Sequence, residues 1–447
     1  MRIVVAGAGD LGFNIAKLLV ADEFNVVLVE KSAQRCEEIQ KTIDCLVLNG
    51  DVTASSLYQR QDVAEADLFV ACTGVDEVNI VACTLAKHYG VQKTIVCVRN
   101  VDYSNSEKDF LRQDLHVDVV LNPCEIMALE ISQVVNASSS LNVEKFADGK
   151  VTMFETKIGA DSNLLNQKLR DMELPRDILA ALITRNNKVL IPSGEDCLMP
   201  EDYVYFVGIS ERIEEFQKQF SEVYQKPQRI MIIGGGRTGQ FLAPLLLEEG
   251  KDIKIIEKNG QICQKLAAEL RGGVVLCGDG SDMAFLEEEG AGQADLIIVI
   301  TDDDRLNLMT ALVAKHLGTK RTLVRLTRSE YLNLTDKVEA DVVLFSQMLT
   351  AAEVLRYAHR GEVVNVSYLG DSRVEAVEVV LGEDSAAQNR AVQELDLPKE
   401  SLMCALVRGK EVLVPKGDTV LEAGDRLVIL ARNDRMTSIT SLFEAKD

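Results

Sequence analysis

An internal repeat limits the folds open to this chain more than any other feature of its sequence. The segment from Arg2 to Gly12 recurs as Arg229 to Gly239, and in both places a short apolar run leads into a glycine cluster. Further segments recur downstream in the same order: Val27–Lys31 as Lys254–Lys258, Asn49–Asp51 as Cys277–Asp279, and Thr73–Asn79 as Thr301–Asn307. Repeats that keep their order over this distance indicate a duplicated domain.

A smaller unit follows each large one, because Leu174–Asp202 is matched by Leu397–Asp425. Two copies so far apart are too few for a solenoid, so the sequence predicts duplication of a pair of domains. We expect large domains at 1–136 and 228–358, and small domains at 141–224 and 362–447. The predicted linkers are Asn136–Ser140, Gln225–Gln228 and His359–Gly361, which are polar or contain Pro or Gly.

Each large unit alternates short β-branched runs with helical stretches, the pattern of βαβ units in a parallel sheet. In the first copy we expect strands at Arg2–Ala6, Asn25–Val29, Cys45–Leu48, Leu68–Cys72, Thr94–Val98 and Val117–Leu121. The small units carry short strands broken by Pro and Gly, at Val189–Ile191, Tyr203–Val207, Val412–Val414 and Arg426–Leu430. The predicted fold class is α/β, with two Rossmann-like doubly wound parallel-sheet domains, each followed by a small α+β domain.

Pro123 follows the last predicted strand of the first large unit, and we expect it in the first turn of a helix. That helix carries more apolar residues than one packed face needs, at Ile126, Leu129, Ile131, Val134 and Val135. The sequence leaves two alternatives: the helix packs on its own domain, or it forms a dimer contact.

Composition excludes several classes of function. The formal net charge of -22 argues against nucleic-acid binding, which needs clustered Lys and Arg. No apolar run approaches the roughly 18–20 residues of a membrane span, and we expect no signal peptide. The ten cysteines form no CxxC pair and there are only four histidines, so we expect reduced cytosolic thiols and no zinc site. The acidic residues Glu195, Asp196 and Asp202 are expected in a solvated turn rather than a cation site.

The glycine cluster follows a predicted strand and begins a predicted helix, which is the context in which such a motif binds a dinucleotide. Gly7 permits the tight turn, Gly9 lets a pyrophosphate approach the backbone, and Gly12 lets helix and strand pack closely. Free backbone N–H groups and the positive end of the helix dipole then favour an anion, without the lysine of a P-loop. The predicted contacts in the two loops are Gly7, Ala8, Gly9, Asp10, Leu11 and Gly12, with Gly234, Gly236 and Gly239 in the second copy.

An acidic residue ends the next strand of each copy, at Glu30 and Glu257. A carboxylate there accepts hydrogen bonds from ribose hydroxyls and repels a 2′-phosphate. NAD(H) or another adenine nucleotide is therefore favoured over NADP. The alternative is a glycine turn that holds no ligand.

Further candidates follow the later strands. Asp51 and Asp279 either contact the adenine or ribose end of the ligand or bond their own backbone in a turn. Thr73–Gly74 and Thr301–Asp302 follow the fourth strand, where ligands bind in doubly wound folds, and we favour ligand contact over the alternative of a helix N-cap. Arg99 and, in the second copy, Arg325 are placed to neutralise a phosphate.

The sequence offers few of the residues that a dehydrogenase needs. Such an enzyme requires a substrate domain and a proton donor that faces the nicotinamide. Little chain remains between Arg99 and the first linker, and the small units offer no convincing acid/base pair. We therefore favour a nucleotide-binding regulator and expect no catalytic residue; the alternative is an NAD-dependent oxidoreductase with its chemistry between domains.

With these residues in place, the chain resembles the TrkA family, the cytosolic subunits of Trk potassium-uptake systems built from tandem RCK (KTN-type) domains. The resemblance covers essentially the whole chain. It rests on the alternation of large and small domains together with Val5–Gly12, Glu30, Gly50–Asp51, Thr73–Asn79 and Arg99.

The resemblance implies a homo-oligomer, arranged as a ring, at the inner face of the plasma membrane. It implies a membrane partner similar to the TrkH or TrkG potassium channel subunit, whose gate responds to bound nucleotide. The family's ligands are NAD+/NADH and ATP/ADP, and the implied NAD contacts are Gly7 to Leu11, Glu30, Thr73, Gly74 and Arg99.

The second copy departs from this pattern. Arg237, Asp302 and Thr327 stand where the first copy has Asp10, Gly74 and Arg99. Two alternatives follow for the second large domain: a different adenine nucleotide such as ATP or ADP, or no ligand.

Overall fold

The computed structural model describes residues 1–104, 107–136, 143–175, 177–185, 188–218, 227–328, 331, 340–358, 363–369, 374–398, 400–432, 439 and 442–443. Within them, no helix combines the length and the apolar character that crossing a membrane would require. Contacts divide the chain into two compact units. The α/β unit is Met1–Asn136 with Pro227–Val354, and the β unit comprises the described residues of Ala137–Lys226 and Leu355–Asp447.

The first large domain contains a six-stranded parallel sheet in the order β3-β2-β1-β4-β5-β6. Helices on both faces bury all of β4 and all of β1 except Arg2, so the buried stretches are continuous apolar runs rather than alternating ones. The strands are β1 (Arg2–Ala6), β2 (Asn25–Glu30), β3 (Leu46–Asn49), β4 (Leu68–Ala71), β5 (Lys93–Cys97) and β6 (Val119–Leu121). The helices are α1 (Asp10–Ala21), α2 (Ala33–Gln40), α3 (Ser55–Tyr58), α4 (Gln61–Ala64), α5 (Asp76–His88), α6 (Val101–Ser104), α7 (Lys108–Gln113) and α8 (Pro123–Asn136).

The strand order reverses between β1 and β4. Strand β2 lies on one side of β1 and β4 lies on the other. The segments that follow β1 and β4 therefore turn in opposite directions at the carboxyl edge of the sheet. Doubly wound folds bind their ligands at this point. The glycine loop after β1 and the Thr73–Gly74 segment after β4 both lie there.

The second large domain repeats this topology, with the parallel order β14-β13-β12-β15-β16-β17. Its strands are β12 (Arg229–Ile233), β13 (Asp252–Glu257), β14 (Val274–Cys277), β15 (Leu296–Val299), β16 (Thr322–Leu326) and β17 (Val342–Phe345). Its helices are α10 (Arg237–Glu248), α11 (Gly260–Glu269), α12 (Met283–Glu288), α13 (Asp304–His316) and α14 (Ser346–Ala358).

Helix α8 joins the two large domains into one unit. Pro123 is its first residue, as predicted, and the buried Asn122 side chain caps it by accepting a hydrogen bond from the Cys124 N–H at 2.9 Å. Its buried face packs into the core of the second large domain, against Leu242, Ala243 and Leu246 of α10. Neither sequence-based alternative described this contact, because the partner is the other copy of the domain within the same chain.

The β unit contains two five-stranded antiparallel sheets, ordered β10-β9-β11-β8-β7 and β18-β19-β22-β20-β21. Residues of both sheets share one apolar core. The first sheet is formed by β7 (Val143–Phe146), β8 (Val151–Lys157), β9 (Ile178–Arg185), β10 (Lys188–Leu190) and β11 (Tyr203–Ile209), followed by α9 (Ser210–Gln217). The second is formed by β18 (Val363–Leu369), β19 (Val374–Val380), β20 (Ser401–Arg408), β21 (Glu411–Leu413) and β22 (Arg426–Arg432).

An arginine–aspartate pair recurs in each small domain. Arg185 donates to Asp202 at 2.6 Å, and Arg408 donates to Asp425 at 2.7 Å. Both carboxylates are buried, and the paired arginine stabilises each of them against the cost of burial. The prediction of a solvated turn was therefore wrong for Asp202, which belongs to the core rather than the surface.

Sequence-predicted strand bounds agree with these elements to within two residues. One difference of two residues is at β6, which begins at Val119 rather than Val117 because the Val117 N–H donates to the Leu111 carbonyl instead of a strand. Most of the predicted linker residues, at 137–140, 225–226 and 359–361, lie outside the described residues.

Replacing Ile131 with Ala tests the α8–α10 packing. Ile131 is fully buried, so we expect the variant to lose about 2–5 kcal/mol of the free energy of unfolding of the α/β unit, the usual cost of a large-to-small core substitution. Leu129→Ala on the same helix is the matched control, since Leu129 is 45% exposed and should cost little. Thermal unfolding followed by circular dichroism measures both. Equal losses would contradict the packing described above.

Candidate functional site

The two glycine loops have nearly the same geometry. Gly7 has φ of +103°, a conformation that disfavours any side chain, and Gly234 repeats it with φ of +115°. A Cβ on Gly12 would lie 1.8 Å from the Gly7 carbonyl oxygen, so only glycine lets α1 pack against the loop. Gly9 and Gly236 differ from these, because a Cβ there would meet nothing within 4 Å. The backbone at these two positions is therefore open to a ligand.

Glu30 and Glu257 orient these loops. The Glu30 carboxylate accepts hydrogen bonds from the Ala8 N–H at 2.9 Å and from the Ser32 N–H at 2.8 Å. Glu257 accepts from the Gly235 N–H at 2.8 Å and from the Asn259 N–H at 2.7 Å. Each carboxylate oxygen has a second lone pair, which leaves it able to accept from a ribose hydroxyl as well. The sequence predicted the ligand role and missed this structural one.

Asp51 and Asp279 each accept a hydrogen bond from a backbone N–H of their own turn, which is the second of the two roles that the sequence allowed. Asp51 accepts from the Thr53 N–H at 2.9 Å and from Lys31 Nζ at 2.9 Å. The backbone and hydroxyl hydrogen bonds of Thr53, followed by the ammonium of Lys31, hold the pKa of Asp51 well below its usual range. Asp279 has a similarly lowered pKa, for which Lys258 is the largest cause. Contact of either carboxylate with a ligand stays a prediction.

The threonines after the fourth strands do not cap helices. The N-cap residues of α5 and α13 are Val75 and Asp303, so the N-cap interpretation of Thr73 and Thr301 was wrong. A buried asparagine holds each threonine instead. Asn79 accepts from the Thr73 hydroxyl at 2.6 Å.

Asn79 also donates to the Cys97 carbonyl at 2.8 Å, and in this way it ties the ends of β4 and β5 together. Asn307 repeats this contact by donating to the Arg325 carbonyl at 2.9 Å. Asp76 adds a second tie, because its carboxylate accepts from the Arg99 N–H at 2.9 Å. Asp76 and Asn79 were not among the predicted site residues, although their presence in both copies of the repeated segment Thr73–Asn79 was a signal that could have found them.

One cleft of about 1030 Å³ is lined by residues of both large domains. Its volume is slightly above the range of about 300–1,000 Å³ for ligand pockets. The predicted site residues that line it are Gly9, Asp10, Leu11, Gly74, Arg99, Gly234, Gly236, Glu257, Asp279, Thr301 and Arg325. Those that do not are Gly7, Ala8, Gly12, Glu30, Asp51, Thr73 and Gly239.

Most residues that line the cleft belong to the second large domain, because the Arg35 side chain lies beside the first glycine loop. Arg35 Nε donates to the Ala8 carbonyl at 3.3 Å, and its guanidinium stacks on the Phe13 ring at 5.4 Å from the centroid. In the second copy Ile262 and Gln240 stand at the matching positions, and both line the cleft. The second copy, for which the sequence left two ligand alternatives, thus has the more open ribose end.

Three arginines that can contact an anion line the cleft, which also contains the carboxylates of Asp10, Glu257, Asp279 and Asp302. Arg99, Arg237 and Arg325 all line it. Arg325 donates to Asp302 at 3.1 Å, while its buried Nε has no hydrogen-bond partner among the described residues. A buried donor without a partner costs about 1–3 kcal/mol, which an acceptor on a ligand would offset. The arrangement can bind phosphates.

Two protein-family models match the chain in alternation. The model described as the TrkA-N domain matches residues 3–123 and 230–346. The model described as the TrkA-C domain matches residues 153–221 and 376–444.

Curated proteins are similar to the chain over its whole length. It is 33% identical to the Trk system potassium uptake protein TrkA homolog 1 of Methanosarcina mazei, over 99% of this chain and 100% of that protein. It is 32% identical to the TrkA homolog of Archaeoglobus fulgidus, with the same coverage. It is 31% identical to TrkA of Vibrio alginolyticus, over 99% of each.

Solved structures share the fold. The GsuK RCK domain superposes with a TM-score of 0.62 at 17% identity, over 99% of this chain and 94% of that one. The GsuK channel bound to NAD gives 0.62 at 18% identity, over 99% and 78%. GsuK bound to ADP gives 0.52 at 16% identity, over 80% and 69%. The predicted fold class, two Rossmann-like domains each followed by a small domain, is confirmed.

Replacing Gly12 with Ala tests the loop packing. The added methyl group would collide with the Gly7 carbonyl, and relieving such overpacking costs typically about 1–3 kcal/mol. Gly9→Ala is the control, since its methyl group meets no atom and its φ of -64° suits alanine. We expect thermal unfolding at a lower temperature for Gly12→Ala only. A similar decrease in both variants would show that the loop can relax, contrary to the geometry.

Proposed function

The chain belongs to the TrkA family, and on that premise we propose that it is the regulatory subunit of a Trk-type potassium transporter. It binds NAD(H) or another adenine nucleotide and gates a membrane partner. The observation that carries this proposal is the cleft, where two amide-lined glycine loops, each oriented by a glutamate, face one cavity with three arginines. Such a cavity suits a nucleotide, whose phosphates need N–H donors and positive charge.

The binding residues we propose follow the sequence prediction. In the first large domain they are Gly7, Ala8, Gly9, Asp10, Leu11, Gly12, Glu30, Asp51, Thr73, Gly74 and Arg99. In the second they are Gly234, Gly236, Gly239, Glu257, Asp279, Thr301 and Arg325. We also keep the division into domains at 1–136, 141–224, 228–358 and 362–447.

NAD(H) is the ligand we propose for the first large domain, because Glu30 can accept from both hydroxyls of an adenosine ribose. For the second we propose ATP or ADP. The ribose end of the second site is open, and the Nε of Arg325, which has no hydrogen-bond partner among the described residues, can donate to an anionic acceptor. In GsuK the same fold holds NAD in one structure and ADP in another.

The partner we propose is a membrane potassium channel subunit similar to TrkH or TrkG. The relatives carry the name of the Trk potassium uptake system, which supports a transporter as the partner. The chain would act as a cytoplasmic ring of identical copies at the inner face of the membrane. Its net charge of -22 favours approach to the Lys- and Arg-rich cytoplasmic loops of a membrane protein.

Regulation follows from the shape of the cleft. Residues of both large domains line it, so a nucleotide held by one loop also lies against the other domain. A ligand that fits one arrangement of the two domains better than another shifts the population toward that arrangement. A ring fixed to a channel would pass this shift on to the gate.

Replacing Glu30 or Glu257 with Gln tests the ribose contact at each site. Gln keeps an acceptor for the loop N–H but loses the carboxylate, so we expect nucleotide binding at that site to weaken by ~1–3 kcal/mol. Calorimetric titration with NADH and with ADP measures the loss, and the exposed Glu37→Gln is the control. Unchanged titrations for both variants would refute the assignment of these glutamates.

Potassium flux separates a regulator from the alternative, an NAD-dependent oxidoreductase. With the chain bound to its channel subunit in vesicles, we expect flux to change on addition of NADH, NAD+, ATP or ADP. The chain alone should not consume NADH in the presence of carbonyl substrates, since Lys258, the one His, Lys or Tyr among the described residues that line the cleft, is paired with Asp279. Steady turnover without a membrane partner would favour the enzyme.

A further inference from the structure

Two cysteines lie next to Glu257, the residue that orients the second glycine loop. Strand β14 ends at Cys277, which pairs in register with Glu257 of β13. Cys263, in the first turns of α11, donates from its thiol to the Glu257 carbonyl at 3.2 Å. The Cys263 and Cys277 side chains are close enough to interact. Cys263 is buried and Cys277 is exposed.

The first copy shows that these two positions are in contact. Its counterpart of Cys263 is Cys36, whose thiol donates to the Glu30 carbonyl at 3.5 Å. The counterpart of Cys277 is Asn49, which pairs in register with Glu30. Asn49 Nδ2 lies 3.8 Å from Cys36 Sγ, within the limit for a hydrogen bond to sulfur. Both positions are cysteine only in the second copy.

We propose that Cys263 and Cys277 form a reversible disulfide with a low-molecular-weight disulfide as the oxidant. This makes the second large domain a thiol-modification site in addition to a nucleotide site. The first large domain has no such site at the matching positions, because Asn49 cannot form the bond.

The exchange takes place in two steps. The exposed Cys277 thiol, as its thiolate, attacks one sulfur of the small disulfide, forms a mixed disulfide and releases one small thiol. The Cys263 sulfur then loses its proton to solvent, attacks the Cys277 sulfur and releases the second small thiol. Two protein thiols are oxidised, one small disulfide is reduced to two thiols, and two electrons are transferred.

Access decides which cysteine reacts first. Burial, and then the contact with Cys277, raise the pKa of Cys263 to about 11, so its thiolate is scarce at neutral pH. Cys277 is the thiol that an external disulfide can reach. Cys263 acts only in the second step, when the mixed disulfide lies next to it.

The disulfide also bears on nucleotide binding, a consequence that rests on the proposed function. Bond formation draws the end of β14 toward α11, and the segment that follows β14 carries Asp279, which lines the cleft with Glu257. We expect this movement to weaken nucleotide binding at the second site about fivefold, a typical coupling between two sites. By linkage, bound nucleotide disfavours the disulfide by the same factor.

Incubating the full chain with mixtures of oxidised and reduced glutathione tests the chemistry without any nucleotide. We expect non-reducing peptide mapping to find a Cys263–Cys277 cross-link that dithiothreitol reverses. Cys277→Asn, which places the first copy's residue at this position, should abolish the cross-link without altering thermal stability. Asn49→Cys should create a second cross-link, between Cys36 and the introduced cysteine.

Several results would overturn the proposal. One is a Cys277–glutathione adduct that accumulates while Cys263 still reacts with an alkylating agent after unfolding. Another is a cross-link pattern that is the same in Cys277→Asn as in the native chain. Failure of Asn49→Cys to cross-link would refute the geometry inferred from the first copy.

The same redox titration, repeated with saturating ADP, tests the coupling. We expect ADP to shift the oxidation equilibrium about fivefold toward the thiols. If the disulfide forms but ADP has no effect while calorimetry still detects ADP binding, the coupling is wrong. If calorimetry detects no nucleotide at all, the proposed function fails and the disulfide stands.

Discussion

The carboxylates of Glu30 and Glu257 each hold a glycine loop against the end of the neighbouring strand, and the candidate site depends on these hydrogen bonds. Without the Glu30 contact, the backbone hydrogen bond from the Gly7 N–H to the Val29 carbonyl would still link the loop to β2, but the Ala8 N–H would lose its partner. The loop itself permits no substitute at Gly12, where any Cβ collides with the backbone. Function and stability therefore share the same few residues, because the group that would bind the ribose also fixes the loop that would bind the phosphates.

Duplication within one chain turns what could be a dimer contact into an internal core. Helix α8 leaves the first sheet and packs on α10 of the second large domain, so both glycine loops face one cleft. Since the two copies share a chain, each can diverge without affecting the other. Arg35 covers the first loop, whereas Ile262 leaves the second open, and the cysteine pair occurs only in the second copy. The asymmetry of the cleft follows from this divergence.

Much of the fold could be read from the sequence, because local patterns determine it. Buried parallel strands are continuous apolar runs, and glycine spacing specifies the turn after β1, so the elements and the glycine turns of both copies were predictable. Other residues could not be assigned, because their roles depend on partners distant in sequence. Asn79 bonds to the end of β5, and Asp202 is buried against Arg185 of another strand. A polar residue in a turn looks the same in the sequence whether it is solvated or buried.

By itself, the sequence determined the α/β fold class, the duplication, the family and the residue types at each candidate site, because these depend on periodicity, order and spacing along the chain. The tertiary structure alone decided which domain receives α8, which predicted residues line a common cleft, and that Cys263 and Cys277 lie beside the same glutamate. These facts depend on how side chains pack between elements far apart in the chain. Such packing depends on shape in three dimensions, which a one-dimensional pattern does not contain.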